Sequence, residues 1–308
     1  MFSSDQYQAL DFGEGRRLER FGELVLDRPC PTADFLKKKS LSLWALADAV
    51  FRIDGIASKK SNVVAERGTW VAKKAFEAWQ IQHDQIVFEL RGTPFGHVGI
   101  FPEQAENWDT IKSFCQQQTQ SNQAVARVLN LFAYTGGSTL AAASGGGEVV
   151  HVDAAKNVVS WAKKNAEISQ IAKSQFRWIA EDAQKFVRRE RKRGNKYHGV
   201  ILDPPSYGHG AKGEVWRLSK HLPNLLLDCF SLLESDLPCF LLLTCHTPGF
   251  SLDRLTNMVE ETAQAAFGDR FSRKQMRLDT HTMTLRAQSG ATLPSGESVM
   301  FCYDGTDL

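Results

Sequence analysis

The chain has 308 residues, 43% of them apolar, enough for one large domain or two and for a hydrophobic core in each. A net charge of +2 excludes a strongly basic composition, so any nucleic-acid-binding surface must be local. The six scattered cysteines (Cys30, Cys115, Cys229, Cys239, Cys245, Cys302) lack the C-x-x-C spacing of a zinc site, no basic-then-apolar leader opens the chain, and no run reaches the roughly 20 apolar residues of a membrane span, so we expect a reduced, cytoplasmic, metal-free protein with no membrane segment.

Residues 1–120 do not alternate strand and helix regularly and read as a small strand-rich domain, a candidate for substrate recognition. Phe21-Gly-Glu-Leu-Val-Leu-Asp27 reads as one strand, closed by Arg28-Pro-Cys-Pro31. Lys37-Lys-Lys39 fits a solvated face or a phosphate contact, and the apolar stretch 41–47 fits a short helix or an irregular segment. Residues 75–81 and 85–91 form a β-hairpin around His83-Asp84. Pro102 starts a helix over 105–116, and the polar run 116–122 is the best linker, leaving 121–308 as the second domain.

From Ala124 the pattern becomes β-α-β-α. Residues 126–132 are a short apolar strand, followed by Tyr134-Thr-Gly-Gly137, an alanine-rich helix over 138–144, glycines 145–147 and an apolar strand ending on Asp153. A strand, glycine turn, helix, strand and acid make up a nucleoside-binding βαβ unit. Dinucleotide enzymes share this layout but carry G-x-G-x-x-G, absent here; class I methyltransferases share it too, and a purely structural unit is the third alternative. Further strands are expected at 175–180, 199–203 and 239–244. Helices should cover 155–169, a basic stretch with Arg188, Arg189, Arg191, Lys192 and Arg193, then 215–233 and Leu252–Phe267. Residues 274–285 and 298–302 close the sheet as an antiparallel pair. The fold class is α/β: a doubly wound, seven-stranded Rossmann-like sheet beside the small strand-rich N-terminal domain.

Ligands of such sheets sit beyond the carboxyl ends of the strands. Those ends hold Tyr134, Gly136, Gly137, Asp153, Glu181-Asp182, Asp203-Pro204-Pro205-Ser206-Tyr207 and Thr244-Cys245-His246. A carboxylate on the second strand can accept from ribose hydroxyls, and Asp182 can accept an exocyclic adenine amine. Two prolines after Asp203 fix the direction of its carboxylate and of the following carbonyls, which fits either a plain strand-ending turn or the motif of enzymes that grip the amino group of a nucleobase. Residues 208–213 read as a mobile loop in which His209 and Lys212 either touch substrate or are solvated. Cys245 is either a buried filler or a nucleophile, with His246 to activate it. Methylating carbon 5 of a pyrimidine requires such a thiol, because the ring becomes nucleophilic only after a thiolate adds to carbon 6. The basic helix is either a solvated face or a phosphate contact.

Asn130-Leu-Phe-Ala-Tyr-Thr-Gly-Gly137, His151-Val-Asp153, Glu181-Asp182 and Asp203-Pro-Pro205 resemble the motifs of S-adenosylmethionine-dependent methyltransferases of the ribosomal RNA large-subunit methyltransferase I type. The resemblance runs from Gly92 to the C-terminus and includes Gly99-Ile-Phe-Pro-Glu-Gln104. It implies that Tyr134, Gly136 and Gly137 wrap the methionine part of S-adenosyl-L-methionine, that Asp153 holds the ribose and Asp182 the adenine, and that Asp203 lines the methyl-transfer pocket. Pro204, Pro205 and Tyr207 would then meet substrate, and Cys245 matches the thiol nucleophile of the carbon-5 cytosine members. Two departures concern the substrate: residues 1–90 differ from the N-terminal RNA-binding domain of the archetypal ribosomal RNA enzymes, and Ser-Tyr-Gly follows Asp-Pro-Pro. The expected function is methyl transfer to RNA, with ribosomal RNA as the partner and Asp203 and Cys245 catalytic. The alternative is a nitrogen methyltransferase acting on a nucleobase, a protein or a small molecule; a dinucleotide oxidoreductase and a non-catalytic RNA-binding module are further rivals.

Overall fold

The computed structural model describes residues 1–54, 67–122, 124–209, 213, 215–268 and 276–305. They fall into two units, Met1–Glu106 with Met283–Ser295, and Asn107–Thr282 with Gly296–Leu308.

In the first unit, β1 (Tyr7–Gly13), β2 (Arg16–Phe21) and β3 (Leu24–Pro29) form an antiparallel meander. The single strand expected over 21–27 is split, because Gly22 takes a left-handed φ of 61° and turns the chain back between β2 and β3. A short helix, α1 (Leu41–Trp44), leads to β4 (Ala49–Ile53), which adds parallel to β3, and β5 (Gly68–Ala72) returns antiparallel to β4. The hairpin around His83-Asp84 is β6 (Trp79–His83) and β7 (Ile86–Leu90). Of the three adjacent lysines, Lys38 lies over the Trp44 ring and 3.3 Å from Glu14, and Lys39 donates to the Ser289 carbonyl. A buried charge cluster holds the meander: Glu19 accepts from the Arg28 guanidinium and the Tyr7 hydroxyl and lies 3.2 Å from Arg17 Nε. The segment 283–295 belongs here by its bonds, since Gln288 and Ser289 donate their amides to the Ala9 and Leu10 carbonyls of β1.

A 3₁₀ turn at Pro102–Gln104 opens α2 (Ala105–Asn122). Residues 116–122, expected as a linker, are instead its last turns. Gln and Thr are adequate helix formers, and Cys115 and Gln118 are buried on one side of the helix. Polarity alone misread this stretch.

The second unit carries the parallel strands β8 (Arg127–Leu131), β9 (Glu148–Asp153), β10 (Phe176–Ala180), β11 (Gly199–Leu202) and, after the ribbon strands β12 (Tyr207–His209) and β13 (Val215–Arg217), β14 (Cys239–Cys245). The final strands β15 (Met276–Arg286) and β16 (Thr292–Tyr303) complete a seven-stranded sheet of order β10-β9-β8-β11-β14-β16-β15, with β16 antiparallel to β14. β11 and β14 are buried along their whole length, which is why they read as unbroken apolar runs. The chain builds outward from β8 to β10, then crosses back to β11 and builds the other way, so the topological switch falls between β8 and β11. Helices α3 (Gly137–Ser144), α4 (Lys156–Ile168), α5 (Ala183–Arg193), α6 (Leu218–Phe230) and α7 (Leu252–Phe267) join the strands. Apolar side chains of α5, α6 and α7 form one core with β8, β11, β14 and β16.

The helix expected over 215–233 is shorter. Val215–Arg217 pairs with Tyr207–His209 as a β-ribbon, and α6 begins only at Leu218, where the His221 ring accepts from the Arg217 amide. The loop expected at 208–213 therefore starts inside a strand; Lys212 and the side chain of His209 lie outside the described residues.

Candidate active site

The turn after β8 is built from left-handed backbone. Phe132, Tyr134 and Gly136 have φ of 55°, 49° and 95°, and a left-handed non-glycine residue costs about 1–2 kcal/mol. Two residues accept that strain within three positions, a concentration typical of functional turns. The glycines answer to space as well as to angle. A Cβ on Gly137 would stand 2.6 Å from the Trp108 ring of α2, and one on Gly136 3.2 Å from Ala162 of α4. Without side chains there, the first turn of α3 packs directly against α2 and α4, and its leading amides lie at the carboxyl edge of the sheet.

A buried polar column supports this turn. Asn130 donates to the Thr139 hydroxyl at 2.9 Å, Thr139 meets His151 Nδ1 at 2.9 Å, and Asn165 donates to the Thr135 carbonyl at 2.9 Å. Burial, reinforced by the Lys163 charge, pulls the His151 imidazole down to about 3, so it is neutral at physiological pH. Asp153, half-buried at the end of β9, accepts from the Tyr134 amide at 3.0 Å and the Ala155 amide at 2.9 Å. Burial raises this carboxyl above its ordinary value, against the lowering by those two amides. Each oxygen keeps a second lone pair, so the group is aimed and can still accept a ligand hydroxyl. Asp182 caps α5 by accepting from the Lys185 amide at 2.9 Å.

The turn after β11 is clamped from three sides. The Trp216 indole donates to the Pro205 carbonyl at 2.6 Å, Ser206 and Thr247 share a hydroxyl contact of 2.7 Å, and the Leu218 amide donates to the Ser206 carbonyl. Pro204 is buried, Pro205 is exposed, and Tyr207 starts β12 opposite Arg217. Asp203 Oδ1 lies 3.4 Å from His246 Nε2, with side chains 31% and 33% exposed. Cys245 is the last residue of β14, 2% exposed and part of the core. Burial pushes its thiol up, donors from Thr247 (amide and hydroxyl) pull it down, and the Asp203 and Glu297 carboxylates add to the upward push. His246, expected as a thiol activator, is thus brought to Asp203.

Across the sheet the strand ends present Asp182, Asp153, Tyr134, Asp203 and Cys245 in that spatial order, astride the switch point. Oriented acceptors, the amides at the start of α3 and close glycine contacts suit a nucleoside that carries an amino-acid tail. Thr139, Trp216 and Thr247 support this edge, and no sequence motif announced them. On α5, Arg189 pairs with Glu181, Arg191 with Asp228 and Arg193 with Glu190, so much of the helix's charge is neutralised locally. Among the described residues no cluster of His, Cys, Asp or Glu could hold a metal ion, and no helix is long and apolar enough to cross a membrane.

Known proteins are similar to this chain in sequence and fold. The structure of a SAM-dependent methyltransferase from Agrobacterium tumefaciens is 31% identical, with 98% of this chain and 91% of that one covered at a TM-score of 0.83. A protein crystallised with SAH shares the fold at 17% identity and a TM-score of 0.70, covering 97% of this chain and 76% of that one. Ribosomal RNA large subunit methyltransferase I of Aeromonas hydrophila is 26% identical over 205 residues, 65% of this chain and 49% of the relative, so the chain spans about half the length of such curated relatives. The S-adenosylmethionine-dependent methyltransferase family model matches residues 28–273, and the chain belongs to that family of enzymes.

Proposed function

We propose that this enzyme methylates ribosomal RNA at carbon 5 of a cytosine, with Cys245 as nucleophile. The observation that carries the reading is the meeting of Cys245, Asp203 and His246 at the ends of two adjacent strands, beside the turn formed by Tyr134–Gly137. The names of the curated relatives support ribosomal RNA as substrate. In this reading the first unit, rather than the whole of residues 1–120, is the substrate-recognising domain, and the second unit is the methyltransferase domain.

Tyr134, Gly136 and Gly137 hold the amino-acid end of the cofactor, Asp153 the ribose hydroxyls and Asp182 the adenine amine. Bound S-adenosyl-L-methionine supplies an electrophilic methyl group. Asp203 and the Pro204-Pro205 backbone line the pocket for the base, and Tyr207 borders it. The Cys245 thiolate adds to carbon 6, which makes carbon 5 nucleophilic. Transfer of labelled methyl to RNA from a strain lacking the gene, followed by nucleoside mass analysis, should give 5-methylcytidine. Cys245→Ala should abolish turnover while leaving cofactor binding intact.

The burial of Cys245 in an apolar core favours a second reading, a nitrogen methyltransferase in which Asp203 and the proline carbonyls grip an amino group and no thiol takes part. Full activity of Cys245→Ala, with an N-methylated product, would establish it.

A further inference from the structure

We infer that His246, oriented by Asp203, is the base that removes the carbon-5 proton after methyl transfer; this rests on the carbon-5 reading above. Once the Cys245 sulfur is bonded to carbon 6 and carbon 5 has taken the methyl, carbon 5 is tetrahedral and carries both the methyl and its original hydrogen. The hydrogen must leave as a proton. Its bonding pair then becomes the carbon-5–carbon-6 double bond, the carbon-6–sulfur bond breaks, and that pair returns to Cys245 as a thiolate. A methyl delivered on the face opposite the sulfur leaves the hydrogen on the sulfur's own face. The base therefore has to stand beside the thiol.

His246 is the residue after Cys245, and its Nε2 faces Asp203 Oδ1 at 3.4 Å from the neighbouring strand end. A carboxylate so placed selects the imidazole tautomer and steadies the imidazolium formed on proton uptake, as in other nucleophile–base–acid sets. Both side chains are about a third exposed, which gives the captured proton a path to water. The other carboxylate near the thiol, Glu297, lies across from Cys245 on β16 and accepts the Thr282 hydroxyl at 2.7 Å, so it is already engaged.

The test uses the full chain, labelled S-adenosylmethionine and large-subunit ribosomal RNA from a strain lacking the gene, read on denaturing gels. His246→Asn should transfer one methyl and stall, accumulating a labelled protein–RNA adduct that approaches one per enzyme, while turnover falls about 10²–10⁴-fold. His246→Ala should behave alike, and added imidazole should restore turnover and clear the adduct, which a merely structural role would not permit. Turnover of His246→Asn at the wild-type rate, with Cys245→Ala inactive, overturns the base assignment alone. So does lost turnover with neither adduct nor imidazole rescue. Activity retained by Cys245→Ala overturns the carbon-5 reading and this inference with it.

Discussion

Trp216 and Pro205 are joined by an indole-to-carbonyl hydrogen bond of 2.6 Å that ties the β-ribbon to the turn carrying Asp203. The same ring packs on Phe132, at 5.0 Å between centroids, in the turn after β8. One side chain thus braces both turns that flank the switch point. Trp216→Phe keeps an aromatic ring and removes the donor. Stability should fall by about 0.5–1.5 kcal/mol in urea unfolding, and kcat should fall with little change in cofactor affinity by calorimetry. An unchanged kcat would show that the clamp does not govern the Asp203 turn.

Gly137 and Trp108 form a size-matched pair. Gly137→Ala forces a methyl group against the indole, and the expected cost is about 1–3 kcal/mol together with weaker cofactor binding at the first turn of α3. The double variant Gly137→Ala/Trp108→Ala should recover part of the binding lost by the first change. Strict additivity in this cycle would refute the steric account.

Two histidines make stability depend on acid. Burial holds His151 near 3, and burial with the Arg28 and Arg17 charges holds His97 near 4, both below the ordinary 6.5. The unfolded chain therefore binds more protons than the folded one between those values. Their contribution is complete above 6.5 and is lost as pH falls, at up to about 1.4 kcal/mol per pH unit for each histidine. Urea unfolding between about pH 7 and 5 should show this slope, and His151→Gln should remove one histidine's share of it. An unaltered slope in the variant would mean that His151 titrates normally.

Glu19 neutralises two buried guanidiniums. Glu19→Gln leaves Arg17 and Arg28 without the carboxylate they share, with Glu103 still acting on Arg17, and the loss expected from breaking a buried pair is about 3–5 kcal/mol. Limited proteolysis should then cut within β1–β3 before it cuts the second unit. Equal protection of both units would show that the cluster is dispensable.

β11 and β14 could be read from sequence because burial on both faces writes them as plain apolar runs, and the acids at the strand ends stood out against the apolar residues before them. Asp153, Asp182 and Asp203 were visible for that reason. The partners that aim the site were not. Thr139, Thr247 and Trp216 act through neighbours 12, 41 and 11 residues away, at spacings that follow no local period. Val215–Arg217 was missed because a three-residue strand owes its existence to Tyr207–His209 across the ribbon. The end of α2 was misread because its turns pack through Gln118 as well as through an apolar side chain.

The return of residues 283–295 to the first unit sets an order of events during synthesis. β1 leaves the ribosome early, yet the Ala9 and Leu10 carbonyls find their donors only when Gln288 and Ser289 emerge, after the parallel strands have been made. The part of the protein translated first is therefore among the last to be completed, and the second unit has to be largely made before the first can close.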